Sequence, residues 1–173
     1  EFRNLLLVEQ PNGDFAMTTV RQLFFDVAHL LELEQLTTSE DSTIRAIATK
    51  SVKEVRYHVE RSQQWVVRLG DGTDESHRRA QDAVDDLWMY SGEIFIPTAG
   101  EQRLSTRGVA PDFETLASAW RASVEATLEE ATLRVPVEDW NQTGGKSGVH
   151  SEHLGYLLAE MQHLPRSHPD AQW

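Results

Sequence analysis

TIRAIATKSVKEVRYHVERSQQWVVRL, residues 43–69, is the stretch that decides the fold of this chain. It contains no glycine or proline before Gly70, and its apolar and small residues recur at steps of three and four, the spacing of one face of an α-helix. Asp41 or Ser42 can cap the start of this helix, and Gly70 can end it. The predicted inward stripe consists of Ile44, Ile47, Ala48, Ser51, Val55, His58, Ser62, Trp65 and Leu69.

One histidine, His58, lies among the apolar positions of this stripe. A helix of about 27 residues extends roughly 40 Å, so it can cross a whole bundle, and His58 falls near its middle. We expect a histidine at that depth to be either a hydrogen-bonded core residue or part of a metal site, present or lost.

Composition restricts the class of protein. The chain has 173 residues, 39% of them hydrophobic, which is enough for one domain with its own core. Its formal charge of −12 argues against nucleic acid and anionic membranes as partners, because both attract clustered Lys and Arg. The same charge favours a partner with basic patches. There is no cysteine, which excludes disulfides and thiolate chemistry and fits a reducing compartment. No apolar run reaches membrane-spanning length, so we expect a soluble, cytoplasmic protein.

The remaining segments also favour helices over strands. Glycine and proline cluster between stretches of helical periodicity, and alternating strand patterns are hard to find. The sequence therefore predicts one all-α bundle domain over residues 1–173, with an irregular connection at 97–112 and a long polar loop at 136–150. Besides the 43–69 stretch, the predicted helices are 2–9, 15–35, 74–96, 113–134 and 152–164. Their predicted caps include Asp14, Thr73 and Ser151.

The loop sequence TGGKSG, residues 143–148, contains the GKS triplet of a phosphate-binding loop. That motif requires a glycine five positions before Gly145 and a preceding strand. Position 140 is tryptophan and the preceding element is a predicted helix, so a nucleotide hydrolase is excluded. The glycine-rich backbone and Lys146 could still bind one anion, but a flexible loop or a contact between subunits is favoured.

A Glu-x-x-His pair, Glu160 and His163, lies in the last predicted helix. This spacing places a carboxylate and an imidazole on one helical face, as di-iron bundles require. The helix is short and offers no second carboxylate to complete the site, so a solvated surface pair is favoured. His150 and His153 flank the start of the same helix and could hydrogen-bond within the loop.

Two neighbouring helices carry the residues closest to a metal site. A di-iron bundle takes one carboxylate from each of two helices and a Glu-x-x-His pair from each of the other two. Asp26 could supply a carboxylate and His58 an imidazole. Val55, however, stands where the glutamate of the pair belongs, and Glu54 is rotated by about 100° around the helix axis. Because an isopropyl group cannot bind iron, a metal-free site is favoured. We expect Asp26 and His58 to form a hydrogen-bonded polar network at the centre of the bundle.

Several segments resemble one protein family. They are NLLLVEQPNGDFA at 4–16, KEVRYH at 53–58, GDGTD at 70–74, and TGGKSGVHSEHLGYLLAEMQHLPRSHPDAQW at 143–173. These segments are similar to the C subunits of bacterial ring 1,2-phenylacetyl-CoA epoxidase, the non-catalytic subunits of a multicomponent monooxygenase. The resemblance covers the whole chain, and the C-terminal segment is its most specific part.

The resemblance implies a ferritin-like helical bundle that pairs with a homologous catalytic A subunit, which carries the di-iron centre and the thioester substrate. In the catalytic relatives a true Glu-x-x-His ends at the position of His58, and the preceding helix offers a carboxylate at the position of Asp26. With Val55 in the glutamate position, these three residues would be vestigial metal-site positions, and no cofactor is expected in this chain. The family's first two bundle helices are absent from the sequence, so we expect exposed apolar faces on helices 15–35 and 43–69.

The resemblance also implies the function. The chain would be a non-catalytic subunit that supports the oxygenase subunit in phenylacetyl-CoA ring epoxidation, with further subunits and a reductase as indirect partners. The rival hypothesis is an independent ferritin-like di-metal oxidase or oxygenase using Asp26, Glu54 and His58, and a generic helical adaptor has only composition in its favour. We expect the 136–150 loop and the tail to form the interface, because both are irregular and carry aromatic residues. The interface candidates are Trp140, Lys146, His150, His153 and Trp173.

Overall fold

A computed structural model describes residues 2–137 and 140–172 of the chain. Within these residues all regular elements are helices and no strand occurs, which confirms the predicted all-α, ferritin-like bundle. The seven α-helices of the described residues are α1 (Phe15–Leu36), α2 (Ser42–Gly70), α3 (Asp74–Trp88), α4 (Ala99–Thr106), α5 (Phe113–Glu130), α6 (Glu152–Met161) and α7 (His163–Ser167). Short 3-10 helices cover Leu6–Glu9, Gly92–Phe95 and Gly145–Ser147.

The first three helices begin at the predicted caps. The Asp14 carboxylate accepts a hydrogen bond from the backbone N–H of Met17 at 2.9 Å, and the Asp41 carboxylate accepts two from the first turn of α2. The Thr73 hydroxyl accepts a bond from the first turn of α3. These bonds satisfy N–H groups that have no partner inside a helix. The predicted bounds of α1 and α2 are correct to within one residue at each end.

Helices α1 and α2 pack against each other as an antiparallel pair. Phe15, at the start of α1, makes an edge-to-face contact with Trp65 near the end of α2. Glu34, near the end of α1, forms an ion pair with Arg56 in the middle of α2. The inward residues of α2 repeat at alternating steps of three and four, which is the heptad spacing of two long helices in contact. They are Ala48, Val52, Val55, Val59, Ser62 and Val66, with Val52 partly buried and the others buried.

This seam corrects the predicted stripe of α2. Ala48, Val55 and Ser62 lie inside, as predicted, but Ile47 is 61% exposed and His58 is also exposed. The predicted stripe was drawn wide enough for a straight helix with 3.6 residues per turn. The residues of α2 that contact α1 repeat every 3.5 residues and form a narrower stripe. Residues at the edges of the predicted stripe therefore face solvent. The prediction that His58 lies in the core is wrong.

An aromatic cluster joins α1, α3 and α5. Phe24, Trp88 and Trp120 are at most 6% exposed, and their ring centroids lie 5.6–5.7 Å apart. The indole N–H of Trp120 donates to the backbone carbonyl oxygen of Phe24 at 2.8 Å, so burial of this ring leaves no donor unpaired. The cluster fixes the position of α5 against the α1–α2 pair.

Two connections differ from the prediction. The helix predicted over 74–96 ends at Trp88, because the backbone N–H and the hydroxyl of Ser91 both turn back to the Trp88 carbonyl oxygen, and a 3-10 helix follows. The segment 97–112, predicted to be irregular, contains α4. Its start is a capping box in which Thr98 and Glu101 each accept a bond from the other's backbone N–H. The Thr-x-x-Glu spacing was visible in the sequence and could have predicted this helix.

Two other predicted helices are shorter than expected, and a third is divided. The segment 2–9 forms only the 3-10 helix at Leu6–Glu9. Helix α5 ends at Glu130 and not at 134, because Thr132 adopts a left-handed conformation with φ 58° and the Leu133 N–H bonds back to Leu128. The last predicted helix is divided at Gln162 into α6 and α7.

The exposed surface includes large apolar side chains on α1 and α2, as the sequence analysis expected. They are Phe15 (48%), Phe25 (37%), Ile47 (61%) and Tyr57 (64%). None of the described helices has both the length and the apolar character needed to cross a bilayer.

We expect Gly70→Ala to destabilise the fold by about 1–3 kcal/mol. A Cβ atom at Gly70 would lie 2.1 Å from the backbone carbonyl oxygen of Ala131, which cannot move without displacing the end of α5. The matched control is Gly155→Ala on the exposed side of α6, where a Cβ would meet no atom within 4 Å. The control should stabilise by about 0.5–1 kcal/mol, because alanine favours helix. Urea unfolding followed by circular dichroism measures both changes, and equal midpoints for the two variants would contradict the close approach at Gly70.

Candidate functional site

Asp26 is a buried carboxyl group between α1 and α2. The residue is 9% exposed, and burial raises its pKa above the ordinary value of 3.8. The neighbouring Ser62 of α2, whose hydroxyl donates to the Val59 carbonyl oxygen, and the nearby charges of His58, His29 and Arg61 lower the pKa but do not cancel the effect of burial. Asp26 therefore has the polar neighbours that the sequence predicted, with Ser62 beside it and His58 acting through its charge.

Val55 and His58 lie one turn apart on α2 but differ in burial. Val55 is 5% exposed and packs in a small cluster with Leu33 and Ala48. His58 is exposed, and its ring centroid lies 6.4 Å from that of Tyr57. The predicted Asp26–His58 network is thus reduced to a charge interaction between the two side chains.

The residues around Asp26 do not fit a di-iron centre. The part of the chain that the structure describes contains no group of three or more His, Cys, Asp or Glu side chains arranged to hold a metal ion. Val55 brings a hydrocarbon where a carboxylate would be needed, and His58 is turned toward solvent. That Asp26, Val55 and His58 are vestiges of a metal site remains a prediction.

Glu9 is a second buried carboxylate, which the sequence analysis missed. It is 3% exposed at the end of the first 3-10 helix. Its oxygens accept bonds from the Asn4 amide at 2.7 Å, from Nδ1 of His150 at 2.6 Å, and from both the N–H and the hydroxyl of Ser151 at 2.8 Å. Burial raises the pKa of Glu9, but these hydrogen bonds outweigh burial and hold the pKa below its ordinary value.

The bond to Glu9 changes the start of α6. Ser151 was predicted to cap this helix, but its hydroxyl binds Glu9 and makes no capping bond. Nε2 of His150 lies 2.9 Å from the Phe2 carbonyl oxygen, so His150 bonds to the N-terminal segment as well as to Glu9. The start of α6 is therefore attached to the first nine residues of the chain.

Glu93 is a third buried carboxylate and was also missed. It is 2% exposed in the 3-10 helix after α3. It accepts three backbone N–H bonds: from Leu6 at 2.9 Å, from Gly144 at 2.7 Å and from Lys146 at 3.3 Å. Gly145 allows this loop to come so close, since a Cβ there would lie 2.1 Å from the Asn4 carbonyl oxygen. Glu93 joins the N-terminal segment to the 143–148 loop.

Lys146 points into the protein. Its ammonium nitrogen lies 3.1 Å from a carboxylate oxygen of Glu101 and 3.1 Å from the Ile96 carbonyl oxygen, and it sits over the ring of Phe113 at 5.1 Å from the centroid. It also offsets the charge of Glu32, a carboxyl whose pKa is raised by burial. With 18% of its side chain exposed, Lys146 is a structural cation that holds the loop against α4 and α5, not a free anion ligand.

The other predicted positions have varied surroundings. Trp140 is 60% exposed, and the loop beside it is fixed by bonds from Gly92 N–H to Asn141 and from Gln142 N–H to the Met89 carbonyl oxygen. His153 is half-buried, and Trp173 lies outside the described residues. Glu160 and His163 are both exposed, as predicted for a surface pair.

Sequence reasoning missed Glu9 and Glu93 for an identifiable reason. Each is a single acidic residue next to an apolar run, in LLLVE and GEIFI. Such an acid is a signal for a buried, hydrogen-bonded carboxylate, because charged residues are rarely buried without partners. Most of the partners, however, lie more than 50 residues away in sequence. Only the fold brings them together.

The fold and these residues define a helical-bundle protein of the ferritin-like class. The family model for phenylacetic acid catabolic proteins matches residues 1–173, so the chain belongs to that family. It is 49% identical over 173 residues to the C component of the 1,2-phenylacetyl-CoA epoxidase of Escherichia coli (strain K12). The alignment covers 100% of this chain and 70% of the Escherichia coli protein. The resemblance to the epoxidase subunits noted in the sequence is confirmed.

We expect Asp26→Asn to stabilise the protein at pH 7. A carboxyl whose pKa is raised on folding favours the folded state below its unfolded pKa, and this contribution is lost as the pH rises through the folded pKa. Near neutrality the buried charge therefore opposes folding, and asparagine removes it. Well below pH 3.8 the carboxyl is protonated in both the folded and the unfolded chain, so the variant should equal the wild type. Urea unfolding at pH 7 and at a pH well below 3.8 measures the difference in free energy of unfolding between variant and wild type. A less stable variant at pH 7 would show that the ionised carboxylate stabilises the fold.

We expect Glu93→Ala to destabilise the protein by about 3 kcal/mol, because it leaves three backbone N–H groups without an acceptor. The matched control is Glu54→Ala on the exposed side of α2, which should change the free energy of unfolding by no more than about 0.5 kcal/mol. Chemical unfolding measures both. A loss for Glu93→Ala no larger than that of the control would mean that water replaces the carboxylate without cost.

Proposed function

We propose that this chain is a non-catalytic subunit that pairs with and supports the di-iron oxygenase subunit in the ring epoxidation of phenylacetyl-CoA. The observation that carries the proposal is Val55. It is buried at the position where the sequence resemblance places the glutamate of a metal-binding Glu-x-x-His in the catalytic relatives. A chain of this family with a hydrocarbon at that position has lost a necessary iron ligand.

The likeness to an epoxidase component supports a place in the same complex. The Escherichia coli relative is by name one subunit of a 1,2-phenylacetyl-CoA epoxidase, and about half of the aligned residues are identical. On this proposal, oxygen activation and the thioester substrate belong to the oxygenase subunit, and reducing equivalents reach that subunit from a reductase. This chain contributes a rigid helical surface and no group that reacts.

The charge of the chain supports a role in assembly. A protein with a formal charge of −12 and an isoelectric point near 4.9 attracts a partner with basic patches over long distances. The 140–150 loop is shaped by Glu93 and by Lys146, and these two residues fix it without being at its surface. We infer that Lys146 and His150 act on an interface only by holding this loop. Trp140 is the exposed anchor of the loop, and Trp173 remains a proposed interface residue.

Co-expression with the oxygenase subunit tests the proposal. We expect the two chains to co-elute in size-exclusion chromatography, and turnover of phenylacetyl-CoA to require the oxygenase subunit. The purified chain alone should hold far less than stoichiometric iron by elemental analysis. About two irons per chain, retained after dialysis against a chelator, would favour the independent di-metal oxidase. Absence of any complex with the oxygenase subunit would contradict the assembly role itself.

A further inference from the structure

The outer side of the last two helices is an apolar ridge. Four large side chains lie along it with more than a third of their surface exposed. We call them the C-terminal ridge: Tyr156 (72% exposed), Leu157 (39%), Met161 (69%) and Leu164 (50%). Leu157, Met161 and Leu164 follow one another at steps of four and three, so they share one side of the helical segment. Single exposed apolar residues are common on protein surfaces, but four in a row form a patch that marks an interaction site.

The ridge does not serve the packing of its own helix. Leu154 is the one residue of α6 that the described structure buries, and α6 rests on the 3-10 helix at Leu6–Glu9. The start of α6 is nevertheless fixed, because Ser151 gives two hydrogen bonds to the buried carboxylate of Glu9 and His150 gives a third. The protein thus presents an apolar helix face whose first residues are held in place by hydrogen bonds. A preformed surface of this kind binds with little loss of conformational entropy.

A groove runs beside the ridge and is lined by both apolar and polar side chains. It has a volume of about 250 Å³ and lies between α6 and the segment 8–12. Val8, itself 42% exposed, lines one side of this groove, and Tyr156 and Leu157 line the other. An exposed apolar helix face such as that of α6 can bind in an apolar hollow on the surface of a partner protein.

The charges of the chain select among possible occupants. Two copies of a chain with a formal charge of −12 repel each other, so a second copy is disfavoured. Anionic lipid surfaces repel the chain for the same reason. Acidic residues outnumber arginines in residues 152–172, with Glu152, Glu160 and Asp170 against Arg166, while Arg21 lines the adjoining groove. The complementary partner has an apolar hollow with a basic rim.

We propose that the C-terminal ridge is the docking surface by which this chain binds the oxygenase subunit of its complex, which receives the ridge in an apolar hollow rimmed by basic residues. This inference rests on the proposed function, since it takes the partner from there. It places the contact on α6 and α7, whereas the sequence placed it on the 136–150 loop and the tail.

The test measures binding of the full chain to the immobilised oxygenase subunit by interferometry. The ridge variant is Met161→Ser with Leu164→Ser, which removes apolar surface without changing the charge. Leu104→Ser on α4 is the matched control, because its side chain is 40% exposed, close to the 39% of Leu157, and lies on neither the ridge nor the exposed faces of α1 and α2. Trp140→Ala tests the loop. Tyr156→Ser is a second ridge variant, and thermal unfolding checks that every variant is folded.

We expect the double ridge variant to weaken binding at least tenfold and the Leu104→Ser control to stay within about twofold of the wild type. If the wild type binds and both ridge variants bind within twofold of it, the ridge is not the docking surface, while the proposed function stands. A loss confined to Trp140→Ala would place the contact on the loop. A wild-type chain that dimerises alone in ultracentrifugation, and becomes monomeric with the ridge variant, would make a second copy the occupant. If the wild type does not bind at all, the proposed function fails with the inference.

Discussion

The heptad seam between α1 and α2 is the constraint on which the rest of the structure depends. Two helices of 22 and 29 residues lie side by side over most of their length, and this contact decides which residues face inward. Val55 and Ser62 fall on the seam, while His58 falls outside it. The aromatic cluster around Phe24 then attaches α3 and α5 to α1, and both helices also contact α2. The orientation of α2 against α1 therefore determines the candidate site. It leaves Asp26 and Val55 buried and His58 exposed to solvent.

Two buried carboxylates organise the other end of the molecule. Glu9 and Glu93 accept most of their hydrogen bonds from backbone N–H groups and short side chains of distant segments. Burying a carboxylate is costly unless it is hydrogen-bonded, and here each carboxylate oxygen accepts at least one hydrogen bond. The two acids therefore connect the N-terminal segment, the 143–148 loop and the start of α6. The most specific motif of the C-terminal segment, TGGKSGVHSEHLG, is largely explained by this role. Its glycine at 145 permits close approach, its lysine is an internal cation, and His150 and Ser151 bind Glu9.

The chain belongs to the phenylacetic acid catabolic protein family, and the role proposed for it is assembly with an oxygenase subunit. The residues with the strongest interactions hold loops and helices in place, and the described residues bring no set of ligands together for a metal. Large apolar side chains reach the surface on α1 and α2, at Trp140 and along the ridge on the last two helices, and the chain as a whole is acidic. A surface of that kind is suited to association with another polypeptide.

The sequence by itself determined the fold class, the two long helices and the family. Helical periodicity and caps are local properties, so Asp14, Asp41 and Thr73 could be read from neighbouring residues, and α1 and α2 came out correct to within a residue. The absence of glutamate at Val55 was equally visible. Shorter elements were less predictable: α4 had a readable capping box at Thr98, whereas the end of α5 depends on the left-handed conformation of Thr132.

The tertiary structure alone decided which polar residues are buried and what they bind. A period read along one helix cannot show where the partner helix touches it, and a drift of a few degrees per turn was enough to move His58 from the core to the surface. Glu9 and Glu93 stand beside apolar runs, but most of their partners lie 51 to 142 residues away in the chain. The same long-range bonds turned Lys146 from a candidate anion ligand into an internal cation, and turned Ser151 from a cap into a ligand of Glu9. Hydrogen bonds of this kind depend on the packing of whole helices, and that information is not local in the sequence.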